Sequence, residues 1–168
     1  LLKALRVMSD PQGLHIVPNR VTVSTAGVVP RILDLAQIGD GPHLAISLAA
    51  PTDELRDELM PINKRWPIEE LLNACKVFEK TLRTNERLTF EYVMLDGVND
   101  SDEQARQLAN LLNRHNIKAK VNLIPHNPAD PLPYRPSTDE TVERFKNILE
   151  SKGIHTYVRR PRGRDIFA

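Results

Sequence analysis

Small hydroxyl and amide side chains recur where the apolar segments end. Ser24-Thr25-Ala26-Gly27 closes the segment 20–25 (RVTVST), Ser47-Leu48-Ala49-Ala50 closes 43–49 (HLAISLA), and His126-Asn127-Pro128 follows 118–125 (KAKVNLIP). Small side chains let a ligand approach backbone N–H and C=O groups closely. An Asn side chain offers two donors and one acceptor, enough to read a ribose or an adenine edge. Taken singly, each position has a plainer role, since Ser and Asn at strand ends commonly bond their own backbone in turns. Taken together, they describe a binding cup for a polar small molecule, with no charged catalytic pair beside it.

Three further features carry chemistry. Glu91 lies mid-strand between Phe90 and Tyr92. Two readings of it stand: a carboxylate inside a barrel in need of a partner, or a surface group reaching an Arg or Lys at the helix-layer edge. Arg159, Arg160, Arg162 and Arg164 fall within six residues. Guanidinium forks grip phosphate bidentately, so this cluster reads either as a contact to an RNA backbone or as a solvated turn. Cys75 lies on an apolar helical face and reads as a core thiol rather than a nucleophile. The histidines form no i,i+4 pair and no metal site is indicated. Segment 96–100 (DGVND) lacks calcium-loop spacing and reads as a turn.

The elements that must position these groups alternate in type. Segments 20–25, 43–49, 88–95 (LTFEYVML), 118–125 and 155–159 (HTYVR) are short, apolar and β-branched, hence strands. Between them lie helical patterns. Pro30 opens one carrying Ile32, Leu33 and Leu35. Thr52 or Asp53 caps a short one ending at Met60. Pro67 starts another, with Ile68, Leu71, Leu72, Cys75, Phe78 and Leu82 on one face. Ser101 caps a helix with Ala105, Leu108, Ala109 and Leu112 inward. Ser137 or Thr138 caps the last, with Val142, Phe145 and Leu149 inward, ending at Gly153. Strand–helix alternation predicts an α/β fold with a parallel sheet. The pattern leaves open barrel and open sheet, and in both the reacting groups gather at C-terminal strand ends.

Composition sets bounds. The chain has 168 residues, 40% hydrophobic and 27% charged, which is ordinary for a globular protein and too apolar for a disordered one. A net charge of +1 excludes a polybasic tail protein but not a local basic patch. No apolar run approaches the ~20 residues of a membrane span, and no signal-peptide pattern opens the chain. One cysteine excludes an internal disulfide and a cysteine-ligated metal site built from this chain alone, so a cytoplasmic location is expected. The chain has no initiating Met and ends in an apolar stretch, and it reads as an excised piece of a longer polypeptide.

Six strings in order give a more specific reading. RVTVSTAGVVP (20–30), LAISLAAP (44–51), DELRDELMPINK (53–64), EYVML (91–95), VNLIPHNP (121–128) and the segment from Arg159 to Ile166 closely resemble the RlmN/Cfr family. Its members are radical S-adenosylmethionine (SAM) enzymes that methylate an adenine of 23S ribosomal RNA. The SLAAP and MPINK strings resemble the RlmN branch, which acts at adenine C2, more than the Cfr branch, which acts at C8. The resemblance implies a partial (βα)6 TIM-like barrel of the radical SAM type. Residues 1–168 would be a single domain, the C-terminal part of that barrel. Ser24, Ser47, Leu48, Ala49 and Asn127 then fall on cofactor-binding positions for SAM. Ala49 stands where the family often has His, a change without effect if the contact is through backbone.

The resemblance also marks what is missing. The C-x-x-x-C-x-x-C loop that holds a four-iron four-sulfur cluster does not occur, nor does the Gly-Glu motif for the SAM amino group. The methyl-carrying cysteine would follow Ala168. The implied full reaction uses SAM twice, to methylate that cysteine and to generate a radical that activates the methyl group for transfer to adenine. This piece is expected to show no turnover, no iron and weak SAM binding, and to contain no catalytic or metal-binding residue. The implied partners are 23S rRNA, transfer RNA as a second substrate, and a flavodoxin-type electron donor. Membrane and disulfide partners are not expected. Two other classes compete: a non-enzymatic RNA-binding α/β module using Arg159, Arg160, Arg162 and Arg164, and a half-barrel from a phosphate-sugar enzyme, for which only Gly163 suits a phosphate loop.

Overall fold

The computed structural model describes residues 1–39, 41–127 and 133–159. Helix α1 (Leu2–Ser9) precedes strand β1 (Thr22–Thr25). Then follow α2 (Val29–Ala36), β2 (His43–Ser47), the short α3 (Asp53–Leu59), α4 (Ile68–Glu79), β3 (Leu88–Met94), α5 (Asp102–Arg114), β4 (Ala119–Pro125), α6 (Asp139–Ser151) and β5 (His155–Val158). The predicted caps act as such. Thr52 and Thr138 accept from the backbone N–H of Leu55 and Thr141, and Ser101 forms a capping box with Gln104. Strand ends differ from the sequence reading by a residue or two. β1 begins late because Pro18–Arg20 form a 3-10 turn, and β2 stops at Ser47 because Ala49 adopts a positive φ of 64°.

All four strand pairings are parallel, and the strands lie in chain order β1-β2-β3-β4-β5. That order settles barrel against doubly wound sheet. Parallel crossovers are almost always right-handed. When every crossover also steps the same way, every helix lands on the same face. A doubly wound sheet would need a reversal of strand order, and this sheet has none. The burial pattern agrees. Leu44, Ile46, Phe90, Tyr92, Val121 and Leu123 share one core with Ile32, Leu35, Leu71, Leu72, Phe78, Leu108, Leu112, Phe145 and Leu149 from the helices. Side chains alternate along a strand, so the residues between them face the other, helix-free side. The sheet is thus an arc of barrel wall, with one packed outer face and one open inner face.

Candidate functional site at the strand ends

The C-terminal rim is held by a buried arginine. Arg56 of α3 is 0% exposed. Its Nε donates to Leu48 O at 2.9 Å, Nη1 to Asn63 Oδ1 at 2.8 Å, and Nη2 to Ala26 O at 2.8 Å and Ser47 O at 3.1 Å. One guanidinium therefore ties the end of β1 to the end of β2, using the fixed fork that Lys lacks. Burial pulls its pKa below the ordinary value, and Asp53 opposes that pull. Asn63, 1% exposed, sits in the 3-10 turn Pro61–Lys64 and donates in turn to Asp53 Oδ1 at 2.9 Å and Asp57 Oδ1 at 2.7 Å. Asp53 Oδ1 also receives the Ile68 N–H that opens α4. The 53–64 string is thus a polar brace under the rim. Gly27 belongs to it: its φ is +108°, and a Cβ there would meet Arg56 Nη2 at 3.2 Å and Leu71 Cδ2 at 3.3 Å.

A second brace joins β2 to β3. Asn99 is fully buried. Its Oδ1 accepts from Leu95 N at 2.7 Å, and its Nδ2 donates to Ala49 O at 2.9 Å and Val93 O at 2.7 Å. Tyr92 Oη donates to the Asn99 carbonyl at 2.7 Å, and burial pushes that phenol well above its usual range. Segment 96–100 is a turn, as its sequence indicates, but a turn whose amide fixes two strand ends. Sequence reading missed both braces. An Arg within a run of acids, as in 53–58 (DELRDE), reads as surface charge, and an Asn within 96–100 (DGVND) reads as a turn former.

The inner face carries the small polar residues singled out in the sequence. Ser24 is in register with Ala45, Ser47 with Glu91, Glu91 with Asn122, and Asn122 with Tyr157. Ser24 and Ser47 stand one strand and two residues apart, a Cα separation of about 8 Å from standard strand spacings. A nucleoside can touch both. Asn127 is exposed at the same end of the sheet, two residues past the last residue of β4. None of these three side chains makes a hydrogen bond among the described residues. Thr25, by contrast, spends its hydroxyl on its own turn, accepting from Gly27 N and Val28 N. Leu48 is buried, its N–H bonded to Glu91 O at 3.0 Å and its carbonyl held by Arg56. Arg159 is exposed, and its N–H extends the β4–β5 ladder to Leu123 O at 2.8 Å. Arg160, Arg162, Gly163 and Arg164 lie outside the described residues.

Of the two readings of Glu91, the structure selects the interior one. Its neighbours Phe90 and Tyr92 pack against the helices, so Glu91 faces inward. Its Oε1 accepts from Asn122 Nδ2 at 3.1 Å. Oε2 is shut off from water without a partner among the described residues. An orphan acceptor next to the uncommitted Ser47 hydroxyl can take a hydrogen bond from a hydroxyl or amine donor. An iron–sulfur cluster is another matter. Cys75, the one cysteine of the chain, is 0% exposed among core side chains, and burial pushes its thiol up to about 12. No group of His, Cys, Asp and Glu that could hold a metal occurs among the described residues. The residues present do not fit the cluster.

No family model matches the chain. Solved structures do. A radical SAM methyltransferase from Sphaerobacter thermophilus superposes with a TM-score of 0.92 at 44% identity, covering 98% of this chain and 47% of that one. A domain of a pyruvate-formate lyase-activating enzyme from Bacteroides vulgatus superposes at 0.62 with 15% identity, a likeness of fold alone. The wall of parallel strands is therefore a partial barrel of the kind found in radical SAM enzymes.

Among curated proteins, a probable dual-specificity RNA methyltransferase RlmN from Koribacter versatilis is 49% identical over 167 residues, and its counterpart from Xanthobacter autotrophicus is 51% identical over 167 residues. The matched stretch is 99% of this chain in both cases, but 46% and 39% of those proteins. The chain belongs to the RlmN dual-specificity RNA methyltransferase family and spans less than half the length of the curated relatives it matches.

Proposed function

We propose that this chain is the SAM-binding strand-end part of an RlmN-type enzyme that methylates C2 of an adenine in 23S rRNA, and of transfer RNA, through a methylcysteine. The observation that carries the reading is the row of uncommitted polar groups on the helix-free face, with Ser24, Ser47 and the Glu91 carboxylate on adjacent strands. SAM would supply the methyl group and the precursor of the radical, chemistry that belongs to the cofactor rather than to side chains. The chain's own part is placement. Ser24 and Ser47 offer hydroxyls to the ribose, Ala49 offers backbone at a bend without a bulky side chain, and Asn127 offers an amide to the adenine edge. Arg56 and Asn99 hold the carbonyl frame under these contacts and keep the rim from yielding when a ligand binds. The arginines from Arg159 to Arg164 contact the RNA backbone. Residues 1–168 form one domain that completes its cluster and methyl-carrier chemistry only with further chain.

The test has two arms. Residues 1–168 alone contain no iron, bind SAM weakly and leave RNA unmethylated, whereas the complete natural polypeptide binds SAM and methylates adenine C2. Stoichiometric iron or turnover in the short chain would overturn the reading. So would a complete polypeptide that binds RNA through its arginines and has no affinity for SAM.

A further inference from the structure

Glu91 is half-buried on the inner face of the sheet. It is paired in register with Ser47, the last residue of β2, three residues before β3 itself ends at Met94. Asn122, its partner across the β3–β4 pairing, occupies Oε1 and so fixes the carboxylate plane. Oε2 remains buried and unpaired. A carboxylate oxygen withdrawn from water without a donor costs its full desolvation penalty, and native proteins seldom leave one so. Lys120 is the nearest cation on this face by register. It stands one row lower, beside Thr89, and makes no ion pair with Glu91 among the described residues. The donor that completes Oε2 therefore comes from outside this wall.

We infer that Glu91 Oε2 is a ligand-binding acceptor that takes a hydrogen bond from the nucleoside held at the strand ends, through a ribose hydroxyl or the amino group of its amino-acid arm. This rests on the SAM-binding reading above. The same carboxylate repels phosphate, because like charges at short range are unfavourable. Glu91 thus selects a neutral or cationic nucleoside over a nucleotide. Ser47 beside it adds a hydroxyl that serves either ligand, so the discrimination lies with Glu91.

The experiment uses the complete natural polypeptide and equilibrium dialysis with S-adenosylhomocysteine, its 2′-deoxy, 3′-deoxy and deamino forms, and adenosine monophosphate. Glu91→Gln weakens S-adenosylhomocysteine by about 10-fold or more, the scale of a hydrogen bond to a charged group, and narrows the preference over adenosine monophosphate. One analogue loses the same factor with the wild-type protein and nothing further with Glu91→Gln. That analogue identifies the donor as hydroxyl or amine. Glu91→Asp retains the charge but withdraws it, and weakens binding without restoring affinity for the monophosphate. If Glu91→Gln lowers the unfolding midpoint but binds S-adenosylhomocysteine as the wild type does, a cation elsewhere in the polypeptide completes Oε2 and the inference is overturned. If neither variant folds, the wild-type protein decides. Equal affinity for all three analogues overturns the inference and leaves the SAM reading intact. A wild-type protein that binds no S-adenosylhomocysteine overturns both.

Discussion

Replacing Arg56 with Met removes the guanidinium while keeping an unbranched side chain of comparable reach. Four acceptors would be stranded: Leu48 O, Asn63 Oδ1, Ala26 O and Ser47 O. Hydrogen bonds to a charged donor are worth about 1.5–3 kcal/mol each, so a naive sum over four reaches about 6–12 kcal/mol. The sum overshoots, because the buried guanidinium has given up its own hydration. Removing one member of a buried charged network costs about 3–5 kcal/mol in practice. Against a total stability of about 5–15 kcal/mol, that is a large share. At about 2–4 °C per kcal/mol for a chain of this size, the melting temperature should fall by about 6–20 °C. Chemical denaturation of wild type, Arg56→Met and Arg56→Lys measures the loss. Lys keeps the charge but presents one point donor, and should recover less than half of it. Hydrogen exchange adds the location, with faster exchange at Gly27, Val28 and Leu48. A Met variant within about 1 kcal/mol of wild type would show that the acceptors find water or each other, and the brace argument would fail.

The second brace predicts a charge effect. Asn99→Asp turns a donor toward Ala49 O and Val93 O into an acceptor, so it should destabilise more than Asn99→Ala near neutral pH and recover as acid protonates it, read by denaturation midpoints against pH. Gly27→Ala forces a φ of +108° and a 3.2 Å contact with Arg56 Nη2, and should cost about 1–3 kcal/mol. Cys75 should resist a thiol reagent at pH 8 in the native state and react once unfolded. Burial holds its folded pKa at about 12, above an ordinary value of 9.0, so its contribution to stability is complete below about 9 and declines as pH rises toward 12. Comparing wild type with Cys75→Ala isolates that slope. Ala49→Gly should be neutral to mildly stabilising and Ala49→Val destabilising in thermal melts, since the φ of 64° suits glycine and crowds a β-branched side chain.

Local chemistry made much of the architecture readable from the chain alone. β-Branched runs bounded by turn residues gave the five strands within a residue or two, and side-chain caps such as Ser101 and Thr138 marked helix starts, because these preferences depend only on near neighbours. The ordered strings gave the family by the same token: they are linear in sequence. Choosing barrel over open sheet required the strand order, which no local preference encodes. The face taken by Glu91 followed from its two neighbours only once they were seen packed against the helices. Least legible were Arg56 and Asn99. Their roles arise from bonds to Ala26 O and Ala49 O, 30 and 50 residues away in the chain. A polar side chain announces its hydrogen-bonding capacity in the sequence, but whether water or a distant carbonyl satisfies it depends on burial, and burial is a property of the folded whole.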